Sequence, residues 1–219
     1  MRDTPELVIF DCDGVLVDSE PATNQLLAEN LTANGLPISR DEAISLFVGG
    51  TMKSVMIKAR EMGADLGDEW LDEIYEAMFE RLAEGLPPIP HLDRVFTAID
   101  MAGLRTCVAS NGPMRKMEIT LTGAGLSERF EGRIFSAHEV GIAKPDPGLF
   151  LHAAREMGVD PERCVVIEDS ASGVRAAQGA GMRCFGYTAD TDPAKLTPFG
   201  AIPFSSMAEL PGLLGLQVG

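Results

Sequence analysis

The 219-residue sequence has no uncharged apolar run near the roughly 18–20 residues a bilayer-spanning helix needs, so a membrane protein is not expected. The apolar start Leu7-Val8-Ile9-Phe10 is too short for a signal peptide, and acidic Asp3 and Glu6 flank it. There is no C-x-x-C pair. Cys12, Cys107, Cys164 and Cys184 stand far apart and read as free thiols of a cytoplasmic protein rather than a disulfide frame. Positive charge is scarce: 18 Lys and Arg face 33 Asp and Glu, a net charge of −15. Such a field repels nucleic acid and anionic lipid surfaces, so neither is expected as a partner. An anionic substrate would need positive charge concentrated within its site. The three histidines, His91, His138 and His152, lack metal-ligand spacing and read as structural. No G-x-S-x-G nucleophile elbow occurs. Gly179-Ala180-Gly181-Met182-Arg183-Cys184 misses the third glycine of a dinucleotide fingerprint, and Gly49-Gly50-Thr51-Met52-Lys53-Ser54 lacks the glycine before lysine that a P-loop requires. Internal repeats and low-complexity tracts are missing too.

What is present is an ordinary globular composition, 45% hydrophobic and 23% charged, in a chain long enough for one substantial core plus a smaller unit. Residues 6–10 read as a buried strand ending in Asp-Cys-Asp-Gly. From about 20 to 84 the texture is helical, broken into about four helices at Gly35-Leu36-Pro37, Gly49-Gly50 and Gly63–Gly67. Leu71, Ile74, Tyr75, Met78, Phe79 and Leu82 share one helical face; Met52, Val55, Met56, Ala59 and Met62 form another, expected to be core. Beyond Pro90, helices (92–102, 113–124, 147–157, 172–180) alternate with strands (105–109, near 133–135, 163–167, 183–187). Asp146 is expected as the N-cap and Pro147 as the first residue of the third of these helices, and Ser170 caps the fourth. The pattern predicts an α/β fold: a Rossmann-like parallel sheet with helices on both faces (residues 1–17 and 86–219) and an inserted all-α cap (18–85).

Ligands of open parallel sheets bind beyond the carboxyl ends of the strands. The first strand delivers Asp11 and Asp13 there, the second Ser110 and Asn111, and the fourth Glu168 and Asp169, while Lys144 sits in a nearby loop. A lone D-x-D is commonly a turn or a helix cap. Several carboxylates aimed at one spot suggest instead a hard cation with oxygen ligands, most plausibly Mg²⁺. Metal, lysine, hydroxyl and backbone amides together suit a phosphoryl group.

Asp11-Cys12-Asp13-Gly14-Val15-Leu16-Val17-Asp18-Ser19-Glu20 resembles the first motif of the haloacid dehalogenase superfamily. Ser110-Asn111-Gly112, Lys144-Pro145-Asp146-Pro147 and Glu168-Asp169-Ser170 match its second, third and fourth motifs in order. The helical insertion is similar to the cap of the branch holding β-phosphoglucomutase and many sugar-phosphate phosphatases. Ser110-Asn111-Gly112-Pro113 with Lys116-Met117 resembles bacterial phosphatases of that branch, including those acting on 6-phosphogluconate.

The resemblance implies a Mg²⁺-dependent phosphatase of a small phosphorylated metabolite. Asp11 would be the nucleophile and Asp13 the general acid and base. Asp11, the main chain of Asp13, and Asp169 would hold the metal, with Glu168 either touching the ion or steadying groups that do. Ser110, Asn111 and Lys144 would bind the phosphoryl group. Cys12 is expected to point into the core.

A mutase of the β-phosphoglucomutase type is the alternative, but where its cap loop carries an arginine, Val48-Gly49-Gly50-Thr51-Met52-Lys53 has Met52. A 2-haloacid dehalogenase would need neither metal nor acid at position 13, and a silent binding protein would have no use for the full set. Glu20, Thr51 and Lys53 from the cap, and Lys116 and Arg115 from the core, are the substrate-contacting candidates. The cap is expected to close about hinges near 15–20 and 84–90. A monomer or weak dimer is expected.

Overall fold

The computed structural model describes residues 5–47 and 52–216. Its elements, in chain order, are β1 (Leu7–Phe10), α1 (Glu20–Ala33), α2 (Arg40–Phe47), α3 (Met52–Glu61), α4 (Trp70–Ala83), α5 (Leu92–Met101), β2 (Arg105–Ser110), α6 (Met114–Gly123), α7 (Ser127–Phe130), β3 (Ile134–Ser136), α8 (Ala137–Val140), α9 (Gly148–Glu156), β4 (Cys164–Glu168), α10 (Ala171–Gly179), β5 (Arg183–Tyr187), β6 (Ile202–Phe204) and α11 (Leu210–Leu213). The chain divides into two compact units, one formed by Met1–Asp18 with Pro87–Gly219 and the other by Ser19–Leu86.

The first unit is built on a six-stranded sheet of order β3-β2-β1-β4-β5-β6, with every pair parallel. All four residues of β1 are fully buried, because helices cover both faces of its sheet. The period-2 alternation of a strand divides its side chains between the two faces. Val8 and Phe10 join Val108, Val165 and Ile167 in a core under α5 and α6, where Phe10, Phe96 and Phe130 meet edge to face. Leu7 and Ile9 join Cys107, Ala109, Cys164 and Val166 in a second core under α9 and α10. The sheet is thus doubly wound, and its strand order reverses direction between β1 and β4. The carboxyl ends of those two strands form the crevice in which open α/β sheets bind ligands.

The sixth strand was not expected from the sequence. It is only three residues long and contains Pro203, a residue confined to sheet edges because it cannot donate to a ladder. The Phe204 carbonyl accepts both the N–H (2.8 Å) and the hydroxyl (2.9 Å) of Thr188. Asp146 stands one residue ahead of the N-cap of α9, which is Pro147, yet its carboxylate accepts the Gly148 N–H at 2.8 Å. Ser170 does cap α10, accepting from the Gly173 N–H at 3.1 Å.

The second unit, α1–α4, has its own core of Leu27, Leu31, Phe47, Val55, Met56, Trp70, Ile74 and Met78. Trp70 donates its indole N–H to Asn30 Oδ1 at 2.7 Å, so the buried ring leaves no polar orphan. Val55, Met56 and Ala59 are buried as expected, whereas Met62 lies past the end of α3 and is 40% exposed. Tyr75 is likewise exposed at 42%, at the margin of the apolar face of α4.

Candidate active site

Asp11 follows β1 directly, and its N–H extends the ladder to the Ile167 carbonyl at 3.0 Å. Because Phe10 pairs with Ile167, this register sets Asp11 beside Glu168, the last residue of β4. The chain then turns tightly. Leu16 and Val17 both donate to the Cys12 carbonyl, and Gly14 donates to Val17 at 2.8 Å. Gly14 has φ +76°, and a Cβ there would run into the Asp169 carboxylate, 2.8 Å from its Cγ. Glycine therefore lets Asp169 pack against the main chain of the D-x-D turn. Val15, Leu16 and Val17 are fully buried, so the segment expected to hinge over 15–20 begins as a fixed part of the core.

Lys144 is the electrostatic centre. Its ammonium, buried, lies 2.6 Å from Asp11 Oδ1 and 2.6 Å from Glu168 Oε1, and 5.0 Å from the Phe150 ring centroid. The other oxygen of Glu168 accepts three donors: the Asp169 N–H (3.0 Å), the Ser170 N–H (2.9 Å) and the Ser170 hydroxyl (2.8 Å). Asn111 holds the main chain of Lys144 from both sides, accepting its N–H at 2.8 Å and donating to its carbonyl at 3.2 Å. The Lys144–Pro145 peptide is cis. Ser110, buried at the end of β2, accepts the Gly112 N–H at 3.2 Å.

One side-chain oxygen each from Asp11, Glu168 and Asp169 lies within 4.8 Å of the others. Burial, with Glu168 and Asp13 nearby, pushes the Asp11 carboxyl up to about 6, although Lys144 pulls the other way. Burial, then the Glu168 and Asp11 carboxylates, pushes Asp169 up to about 8. Burial works against the charge of Lys144, but Asp11 and Glu168 outweigh it and hold the ammonium well above the ordinary lysine range. The cluster thus keeps more negative charge than one lysine neutralises, at oxygen donors alone. That donor set fits a hard divalent cation such as Mg²⁺. Cys12 faces the core, its Sγ 3.8 Å from Thr120 Oγ1, and burial followed by Asp13 and Asp11 drives its thiol far from ionisation. It packs rather than reacts.

Residues 5–181 match the family model for haloacid dehalogenase-like hydrolases. The chain belongs to that family. Among the relatives of this haloacid dehalogenase-like hydrolase is the 6-phosphogluconate phosphatase of Escherichia coli K12, 30% identical over 95% of this chain and 94% of its own. A haloacid dehalogenase family hydrolase from Deinococcus radiodurans, solved with bound phosphate and sodium, is 31% identical with a TM-score of 0.82, covering 97% of this chain and 96% of that one. CbbY from Rhodobacter sphaeroides, solved with xylulose-1,5-bisphosphate, is 30% identical with a TM-score of 0.78, covering 97% and 99%.

Of the sequence-derived candidates, the fold of this family brings together Asp11, Lys144, Glu168 and Asp169, with Ser110 and Asn111 on the adjoining strand end. The Asn111 side chain is engaged by the main chain of Lys144 and so fixes the loop that carries that lysine. Asp13 lies two residues beyond Asp11, and Lys116 of α6 reaches it at 2.8 Å. Glu20, the first residue of α1, and Lys53, on α3, are exposed residues of the helical unit. Thr51 lies outside the described residues. Two glycines make room for the carboxylates: Gly14, within the first motif, lies against Asp169, and Gly173, three residues after the fourth motif and without a signal of its own in the sequence, lies against Glu168.

Proposed function

We propose that the protein is a Mg²⁺-dependent phosphomonoester hydrolase that works through an aspartyl-phosphate on Asp11, with a sugar phosphate or sugar-acid phosphate as substrate. The observation that carries this reading is the Asp11–Lys144–Glu168–Asp169 cluster at the switch point of the sheet. A metal held by Asp11, Asp169 and the main-chain carbonyl of Asp13 would supply charge neutralisation for the phosphoryl group.

Asp11, placed at the strand end, offers a carboxylate oxygen to phosphorus, and the ester P–O bond to the leaving alcohol breaks. Lys144 and Ser110 hold the phosphoryl oxygens, and Lys144 keeps its charge because two carboxylates flank it. Asp13 gives a proton to the departing alkoxide and then takes one from water as that water attacks phosphorus. The Asp11–phosphate bond breaks, returning a free carboxylate and inorganic phosphate. Glu168, with both oxygens already engaged, serves chiefly to hold Lys144 and the Asp169 turn in place.

The names of the relatives support the substrate class: one is a 6-phosphogluconate phosphatase and another was solved with xylulose-1,5-bisphosphate. Four free, buried cysteines suit a reducing, cytoplasmic setting. Among the described residues no helix is long and apolar enough to cross a membrane. The decisive experiment measures phosphate release from a panel of phosphorylated sugars, sugar acids and an aryl phosphate, with and without chelator. Release should require Mg²⁺ and vanish in Asp11→Asn. Release that survives either treatment refutes the reading.

A further inference from the structure

Lys116 has no part in the mechanism above, yet its ammonium lies 2.8 Å from Asp13 Oδ2, with the two side chains 24% and 26% exposed. A half-open ion pair of this kind adds little to stability, so stability does not account for a lysine at this point. Its support is unusually firm. On α6 the residue after Lys116, Met117, is fully buried, as is Leu121, and both pack in the core cluster that contains Cys12. Thr120, one turn beyond Lys116, donates to the Lys116 carbonyl at 3.1 Å and lies 3.8 Å from Cys12 Sγ. The helix carrying the lysine is therefore seated on Cys12, the residue between the two catalytic aspartates.

Asp13 itself lies outside the strands, its main chain bridged to Val17 and its carboxylate partly exposed. Gly112 lies close by: a Cβ built there would be 3.7 Å from Ser110 Oγ and 3.8 Å from Asp13 Oδ2. The oxygen that Lys116 holds is thus on the side of Asp13 that faces the strand end bearing Ser110.

We propose that Lys116 is a positioning residue, which holds the Asp13 carboxylate aimed at the oxygen it must protonate and at the water it must later deprotonate. The inference rests on the phosphatase reading and deepens it by assigning the group that orients the acid and base. General acid–base help contributes about 10²–10⁴-fold, and it matters most for an alkoxide leaving group and least for a nitrophenolate.

The test compares wild type, Lys116→Ala and Lys116→Arg, each with Mg²⁺, on a hexose 6-phosphate and on p-nitrophenyl phosphate in rapid-mixing assays. Lys116→Ala should lower the single-turnover rate on the hexose phosphate by about tenfold or more, with KM nearly unchanged. Its first-turnover burst of nitrophenolate should stay within about threefold of wild type, since that step needs no acid, while the later turnovers slow as water attack does. Lys116→Arg should recover most of the lost rate. A burst slowed by the same factor as the hexose reaction, or an effect confined to KM, overturns the assignment. A wild-type protein inactive on both substrates refutes the phosphatase reading instead, so the two failures are distinguishable.

Discussion

Gly173→Ala should be one of the most damaging single substitutions in the sheet-bearing unit, although alanine is ordinarily the better helix residue. Gly173 lies in the first turn of α10, and a Cβ there would overlap the Oε1 and Cδ of Glu168 outright and stand 2.5 Å from Oε2. A flexible carboxylate at a surface would swing aside. Glu168 is fully buried, and its two oxygens hold Lys144 and three donors of the Asp169–Ser170 turn. Helix propensity offers up to about 1 kcal/mol in favour of alanine. Displacing one partner of a buried ion pair costs about 3–5 kcal/mol. The net loss should be about 2–4 kcal/mol, read as a lowered urea midpoint with the slope unchanged. A double-mutant cycle isolates the cause. In a Glu168→Ala background the clash is gone, so adding Gly173→Ala should be neutral or slightly stabilising. Gly181→Ala, where φ is +71° and nothing lies within 4 Å, is the control for backbone strain alone. An identical cost of Gly173→Ala in both backgrounds, or no cost in wild type, would refute the reasoning.

The folded-state carboxyls of Asp11 and Asp169 are raised, to about 6 and about 8, so the stability they contribute is present below about pH 4 and is lost as pH rises through those values. In chelator their share of stability should therefore fall between about pH 4 and 8, most steeply below about pH 6 where both groups contribute. Mg²⁺ favours the ionised forms, so thermal melts should show a larger Mg²⁺-induced gain at pH 8 than at pH 5, about 2.7 kcal/mol at a hundred times Kd; a pH-independent gain contradicts the proposed ligands. Asn111→Ala should free the main chain of Lys144 and lower kcat by about tenfold or more while leaving the fold intact, checked by steady-state kinetics beside circular dichroism. Asp13→Asn should accumulate phosphate on Asp11 from an aryl phosphate, visible by acid-quench mass spectrometry, whereas Asp11→Asn should show none.

The sheet was legible wherever a strand carried four or more apolar residues, as in Leu7–Phe10 and Cys164–Glu168, because burial on both faces leaves a continuous hydrophobic run. The run Ile202–Phe204 escaped notice since three residues with a central proline carry no periodic signal. The candidate residues at the strand ends could be named from their motifs, and the parallel register explains why they converge. What stayed invisible were the contacts between loops distant in sequence. Asn111 grips Lys144 across 33 residues, and nothing about an Asn after a Ser announces that its side chain will bond the main chain of a distant loop. Lys116 and Asp13 lie on different elements, and only the seating of α6 on Cys12 brings them together. Gly173 lies inside a stretch of ordinary helical texture, and only the structure shows that it leaves room for the Glu168 carboxylate.

Within the sheet-bearing unit, Val17 pairs with Pro88 in an antiparallel bridge, and the Ile89 N–H donates to the Leu16 carbonyl at 3.0 Å. The chain therefore leaves this unit and returns to it through two neighbouring, mutually bonded segments, the arrangement of a hairpin whose loop happens to be a whole helical unit. Such a junction makes the helical insertion a cassette. The segments flanking it are tied to each other and to the turn that follows β1 by their own bonds, so a short turn joining Asp18 to Pro87 would preserve every one of those contacts, and a helical unit of different length or lining could be spliced in at the same two residues without redesigning the sheet beneath.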